Sequence, residues 1–223
     1  RPAWGGARWF GLTGLYAASE ALGRAMREHV VARLEPLVDA WNIEERVGDP
    51  VAGRELLWET EPAFGYLQGV PHEHSLRSVY WRKSFAPEQS LDPDRDRCGV
   101  LWACAAVPWR GDEIARACAV VDAVLPTYGF EAMTAAVAVT PRVANLVPSL
   151  LYDRDDEAAD ARALACHAAL TTRLCAEGYA PYRLGARSME RMPATRDDTS
   201  AVLARLKGVF DPSGVLAPGR YTR

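Results

Sequence analysis

No block of Lys or Arg interrupts this chain of 223 residues, and its formal net charge is -3. Nucleic acid and anionic membrane are therefore not expected as its main partners. No apolar run approaches the length of a membrane-spanning helix, and no signal-peptide pattern is present. The five cysteines, Cys98, Cys104, Cys118, Cys166 and Cys175, form no C-x-x-C pair, which excludes the usual zinc-knuckle and thioredoxin-type motifs. Their odd number fits a reducing compartment better than a disulfide framework, so a cytoplasmic location is expected. His72 and His74 flank Glu73 at a spacing that suits a metal, but no third ligand lies nearby, so the segment reads as a polar loop after Pro71. An initiator Met is also missing. The opening Arg1-Pro2-Ala3-Trp4 leads us to expect that the polypeptide begins upstream.

What is present is ordinary globular composition, 49 % hydrophobic and 25 % charged, in a chain long enough to bury a core. The aromatic-rich run Arg8 to Tyr16 reads as a strand. Ser19 is the expected N-cap of a long helix carrying Leu22, Met26, Val30, Leu34 and Val38 along one stripe, bent or ended at Pro36. A short helix is expected around Arg54 to Trp58. Residues 69–97 read as a long surface connection with one aromatic anchor, Tyr80-Trp81.

Cys98 to Trp109 is a nearly continuous apolar run, read as a central strand. A helix opening at Gly111-Asp112 follows, carrying Ile114, Cys118, Val121 and Leu125, and is closed by Pro126 and Gly129. Two strands, Met133 to Thr140 and Ala144 to Tyr152, join through Pro141-Arg142. A second long helix spans Glu157 to Ala176 and stops at Gly178. A short strand at Tyr182 to Gly185, a last helix from Asp197 to Phe210 and a turn at Asp211-Pro212-Ser213-Gly214 complete the series. This order predicts two related α+β halves, with a large antiparallel sheet and helices packed on one face.

Within Gly178-Tyr179-Ala180-Pro181-Tyr182-Arg183, a helix stop is followed by a phenol and a guanidinium side by side. Arg is permanently charged and donates in a fixed fork, and a Tyr hydroxyl adds a further donor. Together they would suit an oxyanion such as a phenolate. A Tyr-Arg pair on a strand also occurs as a surface edge with an ion pair. Trp102 and Trp109 flank the central strand, where core packing is expected and a pocket wall is the alternative.

The series Gly69-Val70-Pro71, Leu76, Tyr80-Trp81-Arg82-Lys83 and Asp92-Pro93-Asp94-Arg95-Asp96-Arg97-Cys98-Gly99-Val100-Leu101-Trp102 resembles the cap domain of the vanillyl-alcohol oxidase and para-cresol methylhydroxylase family. Tyr152-Asp153-Arg154, the Gly-Tyr-x-x-Tyr-Arg segment and the closing Asp211-Pro212-Ser213-Gly214-Val215-Leu216-Ala217-Pro218-Gly219-Arg220-Tyr221 continue the resemblance in order, from near Trp4 to the end.

The resemblance implies an FAD-dependent oxidoreductase acting on a small aromatic substrate, a para-substituted phenol. Residues 1–187 would be the cap and residues 188–223 a C-terminal segment returning to an FAD-binding domain. The family's phenolate-binding pair matches Tyr182 and Arg183. Hydride would leave the para substituent for flavin N5, giving a quinone methide. Arg220 matches a tail position that can place positive charge near flavin N1; a solvent-exposed C-terminal Arg is the alternative. Many relatives tether the flavin through His or Tyr, yet neither type occurs between Phe130 and Leu151. Asn145 would stand at or near the vacant attachment point, and FAD would be non-covalent.

The family's glycine-rich diphosphate loop is also absent from these residues, so an FAD-binding N-terminal half is an expected partner, in the same polypeptide or a separate chain. A homodimer is compatible with the family, and the electron acceptor would be oxygen or a cytochrome c. Two other functions fit the same features. One is a non-catalytic cap-like subunit or scaffold. The other is a same-fold flavoenzyme for a non-phenolic alcohol or hydroxy acid, with Arg183 on a substrate carboxylate.

Overall fold

A strand whose residues alternate between a packed and an open side buries every second side chain, and the longest strand of this chain does so. The computed structural model describes residues 9–45, 73–84, 90–185, 188–189 and 199–220. In it, β4 (Val143–Asp153) buries Ala144, Leu146, Pro148 and Leu150, with the residues between them more open. Among the described residues, all other strands pair with it, antiparallel. These are β1 (Cys98–Trp102), β2 (Ala105–Pro108) and β3 (Thr134–Thr140). Trp102 opposes Ser149 and, three residues on, Ala105 opposes Leu146, so β1 and β2 keep one register along the same edge of β4. The expected central strand is thus interrupted at Ala103-Cys104 without a slip.

Two helices close the inner face. In α2 (Gly111–Val124) the buried residues are Ala117, Cys118, Val120 and Val121, and in α3 (Ala159–Ala176) they include Ala163, Cys166, Leu170 and Leu174. This spacing puts one apolar stripe of each helix toward the sheet. They share one core with Ala105, Val107, Leu146 and Leu150. Leu125 is fully buried in the 3-10 turn Leu125–Tyr128, and Gly129 ends it at φ 78, as the Pro126 and Gly129 signals require. The expected α+β class, an antiparallel sheet with helices on one face, is what the chain forms.

The chain divides into two compact units, Arg1–His74 and Ser75–Arg223. In the first, α1 (Glu20–Leu34) starts at Ser19, whose side chain accepts from Leu22 N, and passes into a 3-10 turn containing Pro36. No strand occurs among its described residues, so the expected second α+β half is not seen there. Residues 9–16 run without regular structure, and Trp9, Phe10 and Tyr16 are exposed. Aromatic content alone does not make a strand, because the backbone N–H and C=O groups need a pairing partner. The helix expected at Arg54 to Trp58 lies outside the described residues.

The expected loop before Cys98 instead contains a 3-10 helix, Glu73–Arg82. Its end is fastened to the sheet unit by four consecutive side chains. Buried Tyr80 donates to Asp96 at 2.5 Å and accepts from Asp92 N at 2.9 Å. Trp81 Nε1 donates to Glu131, and Arg82 donates to the Gly129 carbonyl. Lys83, with its side chain only 1 % exposed, bridges Asp153 and Asp155 at 2.6 Å each. The Tyr-Trp-Arg-Lys motif is therefore a fastening in this fold.

The last helix, α4 (Thr199–Phe210), buries none of its residues. The turn after it forms around Asp211, whose carboxylate pairs with Lys207 and accepts from Val215 N and Leu216 N at 2.9 Å each. All five cysteines are free, and burial pushes the Cys166 thiol up to about 11.

Candidate active site

The end of α3 delivers the Tyr-Arg pair. Gly178 adopts φ 92, a left-handed conformation that stops the helix without steric cost, while Tyr179 N bonds back to the Leu174 carbonyl. The chain then runs beside the free edge of β2. Ala106 N donates to the Ala180 carbonyl at 2.8 Å, and Ala105 opposes Pro181 in a single antiparallel bridge. The expected strand at Tyr182 to Gly185 is thus reduced to one bridge at Pro181, since proline has no N–H to extend the ladder.

Ala105 faces the core, so strand alternation turns Tyr182 to the outer side, where it is 50 % exposed. Arg183, also exposed, sets its guanidinium carbon 5.6 Å from the Tyr182 ring centroid. The two side chains form a stacked cation–π unit. Neither makes a hydrogen bond or ion pair to a described residue. Leu184, next in the chain, is buried.

The pair borders the outer face of the sheet. There the register lines up Val137, Asn145 and Ala106, with Ala135 beside Val147 and Trp102 beside Ser149. Val137 is 51 % and Trp102 52 % exposed, and Val139 and Val143 are also open. The expected core packing of Trp102 and Trp109 is overturned: pairing with Ser149 turns Trp102 outward, and Trp109, just past the end of β2, is also exposed. Asn145 is half-buried in the middle of this face, and its amide makes no hydrogen bond to a described residue. A flat face of apolar side chains with one free amide and a cationic edge suits a planar heteroaromatic ring, so these residues fit a flavin.

Cys104 belongs to the same neighbourhood, although the sequence pattern did not single it out. It lies next to Ala105, opposite the Tyr182 end of the bridge. Burial pushes its thiol up, and the nearby Arg183 charge acts in the other direction. Its only signal in the sequence is its place in the apolar run, one residue before Ala105.

Arg220 is exposed in the second turn of the tail, where its N–H bonds to the Ala217 carbonyl and Ala217 and Gly219 adopt φ 42 and 74. No hydrogen bond or ion pair joins it to Tyr182, Arg183 or Asn145 among the described residues. The structure brings Tyr182 and Arg183 together and puts Asn145 on the adjoining face. Two clefts occur elsewhere, one of about 220 Å³ bordered by Arg82, Tyr152, Asp156 and Arg162, and one of about 10 Å³ beside Trp81 and Met133. Neither contains any of the four expected site residues. Among the described residues, no group of three or more His, Cys, Asp or Glu side chains could hold a metal ion, and no helix is long and apolar enough to cross a membrane.

Comparison with known proteins identifies the family and the fold. The family described as FAD linked oxidases, C-terminal domain, matches residues 71–221. The chain is 38 % identical over 233 aligned residues to 1'-carboxy-chondrochloren decarboxylase of Chondromyces crocatus, covering 99 % of this chain and 43 % of that protein. It is 33 % identical over 175 residues to the 4-cresol dehydrogenase (hydroxylating) flavoprotein subunit of Pseudomonas putida, covering 76 % of this chain and 31 % of the subunit. The chain thus spans less than half the length of these curated relatives.

Among solved structures, p-cresol methylhydroxylase with substrate bound superposes with a TM-score of 0.64 at 23 % identity, over 93 % of this chain and 36 % of that one. The isoeugenol complex of 4-ethylphenol oxidase from Gulosibacter chungangensis gives 0.58 at 21 % identity, over 73 % and 29 %. At such identities these likenesses establish the shared fold.

Proposed function

Because this chain belongs to the vanillyl-alcohol oxidase and para-cresol methylhydroxylase family of FAD-linked oxidoreductases, we propose that it forms the substrate-covering part of an enzyme oxidising a para-substituted phenol. In this reading residues 1–187 are the cap, and residues 188–223 return to an FAD-binding half. The outer sheet face covers the flavin. The observation that carries the proposal is the stacked Tyr182–Arg183 unit, exposed beside that open apolar face and free of partners among the described residues.

Each residue then has a chemical task. Arg183 and the Tyr182 hydroxyl bind the substrate oxygen as a phenolate, lowering the pKa of the phenol by stabilising its anion. The charge density released into the ring assists hydride departure from the para substituent, leaving a quinone methide that adds water or loses a proton. FAD supplies the hydride acceptor. Asn145 would help hold the cofactor's ring system, and because an amide is no nucleophile the flavin would be bound non-covalently. Arg220 would lend positive charge to the cofactor. The walls that enclose the substrate would come from the FAD-binding half, and oxygen or a cytochrome c would be the final electron acceptor.

One observation favours a second reading. A relative 38 % identical over nearly the whole chain is named a decarboxylase, and Arg183 would pair equally well with a substrate carboxylate that leaves as carbon dioxide. One assay separates the two. The chain is combined with its FAD-binding half and FAD, then mixed without air with a para-alkylphenol or its carboxylated counterpart. Bleaching of the yellow flavin by the plain phenol is the expected result. Bleaching and carbon dioxide release only with the carboxylated compound would transfer the assignment to decarboxylation. Protein that stays colourless with added FAD would point to a scaffold.

A further inference from the structure

The segment that presents Tyr182 and Arg183 is pinned between two buried side chains, Tyr179 and Leu184. Leu184 is an ordinary apolar anchor. Tyr179 is not. Its ring is 2 % exposed, and its hydroxyl reaches α2, donating to Glu113 Oε2 at 2.7 Å and accepting from Arg116 Nε at 2.6 Å. Arg116 closes the arrangement, with an ion pair to Glu113 at 2.9 Å and its guanidinium carbon 5.1 Å from the Tyr179 ring centroid. Burial and the Glu113 carboxylate both push the Tyr179 phenol up, so it remains a donor.

We propose that Tyr179, through its hydroxyl bridge to Glu113 and Arg116, is the positioning residue that fixes where the Tyr182–Arg183 pair stands. The inference rests on the reading that this pair binds the substrate oxygen. Filling the core needs only the ring, which Phe would supply; the hydroxyl serves to register the segment against α2. Among the described residues, few other restraints act between Gly178 and Tyr182. Gly178 sits at a left-handed φ, the Ala106–Ala180 hydrogen bond is one backbone link, and Pro181 cannot donate another. Three extended residues span roughly 10 Å, so a displacement at position 179 is carried directly to Tyr182. An anion clamp tolerates little displacement, because charge-assisted hydrogen bonds depend on distance and angle.

The test compares Tyr179→Phe, Glu113→Ala and Arg183→Lys in the FAD-loaded enzyme with both halves present. A para-alkylphenol is the probe, and binding, kcat/KM and their pH dependence are the readouts. Tyr179→Phe and Glu113→Ala are expected to lower kcat/KM by about tenfold to a hundredfold, the scale of a misplacement near 1 Å. They are also expected to shift the pH dependence of binding toward that of the free phenol, leaving FAD affinity unchanged. Glu113→Gln, which keeps the acceptor, should recover most of the loss.

Native affinity and a native pH profile in both Tyr179→Phe and Glu113→Ala, beside a large loss in Arg183→Lys, would overturn the positioning role and leave the proposed function standing. An unchanged Arg183→Lys would remove the proposed function, and this inference with it. If Tyr179→Phe does not fold, the Glu113→Ala and Glu113→Gln pair decides the question alone.

Discussion

The two faces of the β4 sheet are built from the same strands and end in opposite states. Inward, Ala105, Val107, Leu146 and Leu150 are almost wholly covered by α2 and α3. Outward, Val137, Val139, Val143 and Trp102 carry similar apolar character and lie open. Scattered exposed hydrophobics are normal on a protein surface, but an apolar row continuous across adjacent strands marks a surface meant to meet something. The side that is finished holds the fold together. The unfinished side carries Asn145 and is bordered by Tyr182 and Arg183.

Truncations to alanine test that contrast most strongly. Leu146→Ala, on the inner face, is expected to cost about 2–5 kcal/mol in chemical denaturation, whereas Val137→Ala, one strand over and facing out, should stay within about 0.5 kcal/mol. Similar costs for the two would erase the distinction. On the open side the signal should be functional: with the FAD-binding half present, Arg183→Lys is expected to lower kcat/KM for a para-alkylphenol by about a hundredfold, since Lys lacks the planar fork, with Tm nearly unchanged. A falling Tm and unaffected turnover would make Arg183 a structural residue.

The Tyr80–Lys83 fastening, held at the Asp153 end of β4, should show intermediate effects. Lys83→Met leaves two carboxylates without their buried cation; because both reach solvent, the expected cost is only about 1–3 kcal/mol. Burial pulls the Lys83 ammonium down, but Asp153 and Asp155 outweigh it, and its pKa lies above the ordinary 10.5. Its contribution is therefore complete below that value and is lost as pH rises beyond it. An alkaline melting series in which wild type and Lys83→Met converge would show this.

The smallest effect belongs to Asp96. Hydrogen bonds from Arg95 first, then Tyr80, lower its carboxyl from 3.8 to about 2. The stabilisation is present above 3.8 and disappears as pH falls from there toward about 2. Asp96→Asn should flatten the acid limb of a Trp fluorescence titration, and an unaltered limb would discount the Tyr80–Asp96 bond.

How much of this was legible in the sequence differs from element to element. Ser19, Gly129 and Gly178 announced helix ends, and Pro141-Arg142 announced the β3–β4 turn, because caps and turns are set by local chemistry. The helix at residues 73–82 could not be read that way. Its place depends on Tyr80 reaching Asp92 and Asp96, beyond the window in which periodicity operates. Trp102 was misassigned for a different reason: Cys98 to Trp109 is apolar throughout, so no alternation says which side chains point inward. Only pairing with Ser149 decides it. The Tyr182–Arg183 pair was visible as chemistry, while its stacking and its tie to α2 through Tyr179 were not.

With β1, β2 and β3 all paired to β4, one strand acts as the common ruler for the sheet. An insertion of a single residue near its start would exchange the places of Asn145 and Leu146 and invert every later position at once. Core and candidate site could not then drift apart by indels between residues 143 and 153. Variation in what this surface recognises is channelled into point replacements on one side of the strand, while length there stays fixed.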